Sequence, residues 1–167
     1  MAYGDEKMNI SRAYFLLPFA FLFHNLEEAL AMEAWSKKMI SPIQPTVTSR
    51  QFAVAAVMIT IIGFAVAGSK FFLKSKQKYD FLMTAFAGMI FLNVFFPHLL
   101  GAVAFGQYVP GVLTALFINL PLTLYIFFAN IRNGTLTPKQ TSLLILCGGL
   151  LGAPLAFLLL KLVEVFG

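Results

Sequence analysis

Residues 52–68 read FAVAAVMITIIGFAVAG, and that run decides the class of fold. Apolar residues occupy every side of it, so neither the alternation of a half-buried strand nor the one-sided stripe of a surface helix is present. A strand of a membrane barrel would alternate apolar and polar residues over about ten positions. The run is instead a helix surrounded by hydrocarbon. A hydrocarbon core of about 30 Å needs about 20 such residues per crossing. Runs of that length recur at residues 13–35, 52–73, 80–105, 109–129 and 142–165. The expected fold is an all-α bundle of five transmembrane helices, with residues 1–167 forming one domain.

Composition agrees. Of the 167 residues, 59% are hydrophobic and only 11% charged, against about a quarter charged in soluble domains. The single Cys147 excludes an internal disulfide and a thiolate zinc cluster. The net charge of +5 does not point to nucleic acid, because the basic residues flank apolar runs, where they anchor helices at the lipid surface. Lys7, Arg12, Lys70, Lys74, Lys76, Lys78, Arg132 and Lys139 fall on one side of the five crossings, and Lys37, Lys38 and Arg50 on the other. The positive-inside rule then predicts a cytoplasmic N-terminus, an external C-terminus, a cytoplasmic Lys76 and an external Gln44. The expected location is the cytoplasmic membrane. A cleaved signal peptide, starting from Lys7 and Arg12 and ending near Ala29-Leu30-Ala31, is disfavoured by Asp5 and Glu6 before the apolar run and by Glu27 and Glu28 at the cleavage region.

An ionisable group in the bilayer interior costs about 3 kcal/mol, yet the first crossing carries three, within FLFHNLEEALA. At about 100° per residue, Glu27 and Glu28 fall on either side of His24 on one helix face. Ala20 and Ala31 share that face and allow close packing. The other histidine, His98, follows Pro97 in the third crossing, which runs in the same direction as the first. His24 and Glu28 stand roughly 12 to 16 residues from the cytoplasmic end of their helix and His98 about 18 from its own, depths that nearly match at 1.5 Å per residue. Asn93 and Asn119 are expected at the same level. The stripes Gly148, Gly152, Ala156 and Gly111, Ala115, Asn119, Thr123 read as plain helix packing.

The string His24-Asn25-Leu26-Glu27-Glu28, followed by Asn93…Pro97-His98 and by Tyr108-Val109-Pro110-Gly111, resembles the HXXEE family of small prokaryotic membrane proteins. The similarity runs from the first helix to the fourth. That family is defined by its motif, so the resemblance implies which residues matter and leaves the reaction open.

Two imidazoles and one carboxylate suit zinc or iron, and form the donor set of open catalytic sites. His24, Glu28 and His98 are therefore the candidate ligands of a divalent metal. By analogy with the spacing of the inverted zincin motif, Glu27 would be the base that activates water, although Glu27 and Glu28 could exchange roles. The expected activity is a membrane-embedded metal-dependent enzyme, a hydrolase or acyl transferase acting on a lipid or other apolar substrate in a pocket lined by Phe21, Phe95 and Phe96. Asn93, Asn119 and Tyr108 would border that pocket, with Tyr108 at its outer mouth. Alternatives are metal-free acid–base chemistry at paired carboxylates, a proton- or metal-coupled transporter or ligand-binding membrane protein, and a structural polar network. Glu33 reads as an interfacial charge. The second and fifth helices, without ionisable groups at their centres, would be scaffold or the interface of a homo-oligomer.

Overall fold

A computed structural model describes residues 7–39 and 48–166. Gln44, and the anions Asp5 and Glu6 weighed against signal cleavage, lie outside the described residues. Among those described, every regular element is helical. Five helices are long and apolar enough to cross a membrane: Ile10–Met39, Ser49–Phe71, Lys76–Phe105, Val112–Arg132 and Pro138–Val165. Each overlaps one expected crossing, but four begin three or four residues early. Hydropathy registers contact with lipid, whereas a helix begins where a side chain caps its free N–H groups. Asn9 accepts from Arg12 N, Thr48 from Gln51 N, Ser75 from Lys78 N and Thr137 from Gln140 N. The Gln51 and Gln140 side chains return the bond to the cap N–H, completing two capping boxes.

The helices pack in a ring in the order first, second, fifth, third, fourth. Tyr14, Leu17 and Phe21 of the first helix meet Met83, Phe86, Ala87 and Ile90 of the third and Ile126, Phe127 and Ala129 of the fourth in a buried core. The third and fifth helices approach most closely through glycines. A Cβ added at Gly88 would meet the Ile145 backbone, and one at Gly148 would strike the Ala85 carbonyl. This is small-residue packing of the kind that lipid favours, since bilayer tails offer no hydrophobic drive for helices to associate. Near the N-terminal end of the first helix, Tyr14, Thr84 and Asn130 satisfy one another's hydrogen bonds in the buried core.

Two irregular turns shape the centre of the bundle. The third helix is not continuous: Val94–Leu99 is a widened π-type turn in which Phe96 takes extended angles, φ −131° and ψ 118°. The ring of Pro97 crowds the residue before it out of the helical region, and the break turns His98 fully inward. A second π-type turn, Ala115–Asn119, opens the fourth helix. That helix starts at Val112 and not at residue 109, because Gly111 stands in the left-handed region at φ 86°, where L side chains are disfavoured and glycine is not.

Candidate metal centre

His24 on the first helix and His98 after the break in the third bring their rings edge to face, with centroids 4.6 Å apart. Both are buried, 1% and 0% exposed. The Glu28 carboxylate lies beside them, with Oε2 4.0 Å from His24 Nε2 and Oε1 3.4 Å from His98 Nε2. One donor atom from each of the three residues falls within 4.8 Å of the others. Glu28 makes no hydrogen bond within the described residues, so its oxygens are uncommitted.

Asn93 sits between the two rings, its Nδ2 2.9 Å from His24 Nε2 and 3.0 Å from His98 Nε2. An amide NH2 has two protons to give and no acceptor capacity; assigned this way, both Nε2 atoms accept, and the single in-plane lone pair of each is directed at the Asn93 amide. His24 then holds its proton on Nδ1 and donates it to Thr114 Oγ1 at 3.0 Å. Thr114 passes its own hydroxyl proton to Glu27 Oε2 at 2.6 Å. The far nitrogen of a metal-binding imidazole is tied in this manner as a rule, which sets tautomer and ring orientation. No bond of this kind holds His98 Nδ1, which is without a hydrogen-bond partner among the described residues.

Glu27, expected as the base, points away from the histidine pair and onto the start of the fourth helix. Besides Thr114 Oγ1 it accepts from Thr114 N at 2.8 Å, Leu113 N at 3.2 Å and Tyr108 OH at 2.8 Å. Gly111 has no side chain to cap that helix, so the first helix supplies the acceptor, at the end where the helix dipole favours an anion. Tyr108 therefore joins the site through Glu27. Its phenol is pushed up to about 12 by desolvation and by the carboxylate to which it donates, so it stays a donor across the working pH range.

The structure thus brings together His24, Glu28, His98 and Asn93 directly, and Glu27 and Tyr108 one layer out. Asn119 does not join: it is 1% exposed, and neither its oxygen nor its nitrogen has a hydrogen-bond partner among the described residues. Glu33 lies apart from the cluster, bound to Lys37 and to Ser49 N at 2.6 Å, where it ties the first helix to the second. Thr114 and Gly111 were missed as site residues. A helix opening on Pro110-Gly111 without its own Ser, Thr, Asp or Asn cap has to borrow an acceptor, and that was the available signal. The Gly111 backbone touches all three donor residues: a Cβ there would lie 2.7 Å from His98 Cε1, 2.8 Å from His24 Cε1 and 2.9 Å from Glu28 Cγ.

A cavity of about 560 Å³ adjoins the cluster on the other side of Glu28. Phe21 and Phe96 line it as expected, but Phe95 does not; its ring packs on Phe91 with centroids 5.1 Å apart. The second and fifth helices are more than scaffold. Ala55, Ala56 and Ile59 of the one, and Gly149, Gly152, Ala153 and Ala156 of the other, form much of the wall.

A family model described as "Protein of unknown function with HXXEE motif" matches residues 15–126, a span that holds every residue of the cluster and ends before the fifth helix. The uncharacterized protein YrkK of Bacillus subtilis (strain 168) is 29% identical over 143 residues, covering 86% of this chain and 90% of that protein. No solved structure matches.

Proposed function

The chain belongs to the family defined by the HXXEE motif, and we propose that it is a membrane-embedded, metal-dependent enzyme in which His24, His98 and Glu28 hold a divalent zinc or iron ion. One observation carries this reading: His24, His98 and Glu28 each bring a donor atom within 4.8 Å of the others, both Nε2 lone pairs meet at the Asn93 amide, whose place an ion would take, and the far nitrogen of His24 is anchored through Thr114 to Glu27. A purely structural network would leave no carboxylate without hydrogen bonds beside two imidazoles, since desolvation of the charge would be uncompensated. A divalent ion there supplies Lewis acidity and activates water for hydrolysis or acyl transfer. Glu28 is the ligand, Glu27 orients His24 and caps the fourth helix, and the Asn93 amide occupies the point at which both Nε2 lone pairs meet and would give it up to an ion. The apolar cavity against Glu28 favours a lipid or other apolar substrate.

Metal analysis of the protein purified from metal-rich medium tests the reading, with about one zinc or iron per chain expected. A folded protein without metal would overturn it in favour of acid–base chemistry or transport at the same residues. The basic asymmetry supports the cytoplasmic membrane with the N-terminus inside. Cysteine labelling from outside should reach a substituted Gln51 and not a substituted Lys76, and the reverse pattern would invert the topology.

A further inference from the structure

Four helices enclose the cavity beside Glu28, and its shape is that of a slot. On the fifth helix its lining runs from Leu146 through Gly149, Gly152, Ala153 and Ala156 to Leu160, a length of about 21 Å at 1.5 Å per residue. A volume of about 560 Å³ drawn out over that length suits an elongated guest such as an extended hydrocarbon chain. The glycines and alanines of the fifth helix, facing Ala55 and Ala56 of the second, are what leave this space. Phe21, Met89 and Leu146 line one end and Met32, Phe52 and Leu160 the other.

The slot is apolar except for Asn25, Glu28 and Asn93. Asn25 is bound to Thr60 Oγ1 at 2.7 Å, so Glu28 and the Asn93 amide are the polar groups available to a guest. They belong to the wall of the slot and not to the membrane surface: Glu28 stands about 17 Å along the first helix from its Met39 end. A phospholipid whose chain entered the slot would keep its bulky charged head at the interface and gain nothing from those groups. A guest that uses both slot and polar groups has one chain and a small polar end that can descend to them.

From this geometry we infer that the slot binds a single-chain acyl compound with a small uncharged polar head, the medium-chain acyl ester or amide of a small alcohol or amine, its carbonyl end at Glu28 and Asn93 and its tail toward Phe21, Met89 and Leu146. The inference rests on the enzymatic reading only for what happens to the carbonyl; chain binding stands without it. The exposed Phe96 side chain, 68% exposed, and the outward part of the fifth helix form the rim through which the chain passes from the bilayer.

The test uses the full chain in phospholipid nanodiscs and the methyl ester of decanoic acid carrying a diazirine at its tail. Photolabelling should concentrate on the peptides holding Met89 and Leu146. Ala153→Phe, which fills the slot without touching the histidine cluster, should lower labelling by about tenfold, the effect of overpacking a binding site. Ala156→Phe serves if that variant does not fold. Methyl palmitate, longer than the about 10 Å that separates Glu28 from Phe21 along the first helix, should compete more weakly than unlabelled methyl decanoate. Labelling should persist in His24→Ala, so loss of the metal reading and loss of the slot are separable. Labels spread over lipid-facing residues such as Phe15, Phe117 and Leu143, insensitive to both phenylalanine variants, would overturn the inference. Equal competition by a branched isoprenoid alcohol would overturn the acyl assignment.

Discussion

His24→Ala, His98→Ala and Glu28→Gln should each abolish metal binding, taking the purified protein from about one ion per chain to none. Each change removes one of three donors, and the pair that remains has too few contacts to hold a divalent ion against water. Changes one layer out should weaken the site by less. Thr114→Val cuts the tie between His24 Nδ1 and Glu27, and a loss of about 10–100-fold in metal affinity is usual for such a support; Asn93→Leu frees both Nε2 lone pairs from a competing amide and should not weaken binding. Glu27→Gln separates the two roles open to that residue. As the anchor of Thr114 and the cap of the fourth helix, its loss should lower metal affinity and thermal stability together. Full metal content and unchanged stability with lost activity would instead make it the base. Normal metal occupancy in His98→Ala would remove His98 from the ligand set.

Gly111→Ala should be the most damaging change of a single methyl group. An L residue at φ 86° costs about 1–2 kcal/mol in backbone strain alone. The larger effect is steric, because the new Cβ would press on His98, His24 and Glu28 at once, each at under 3 Å. No flexible side-chain end is available to yield, since both rings are buried and Glu28 is held between them and the slot. The three donors must spread, and metal should be lost even though no ligand has been altered. Gly106→Ala is the control: Gly106 also has a positive φ, 62°, but nothing lies within 4 Å of its Cβ position. It should lose about 1 kcal/mol of stability and keep its metal. Equal metal content in the two variants, read beside their melting temperatures, would show that Gly111 does not shape the site.

The same contrast separates what was legible in the chain from what was not. Residues 52–68 announce a lipid-embedded helix because transfer from water to hydrocarbon is additive along the chain, residue by residue. His24, Glu27, Glu28 and His98 announce themselves because an ionisable group in that medium is expensive wherever the chain goes. The matching depth of His24 and His98 followed from counting helical rise. Helix ends were less legible, since Thr48, Ser75 and Thr137 start their helices outside the apolar runs by local hydrogen bonds that hydropathy does not sense.

Glu27 and Glu28 are identical side chains on neighbouring residues, and nothing in the string HNLEE distinguishes them. Their difference arises through space. One meets the uncapped N-terminus of the fourth helix, with Tyr108 and Thr114, while the other meets two imidazoles and an apolar slot. Asn93 and Asn119 diverge in the same way, one between the histidines and the other buried without a hydrogen-bond partner among the described residues. Five crossings and the identity of the buried ionisable residues thus belong to the sequence, because both follow from costs that each segment pays alone. The choice between the carboxylates, the break that turns His98 inward and the slot walled by the second and fifth helices belong to the tertiary structure, because each depends on distances between segments that only packing brings together.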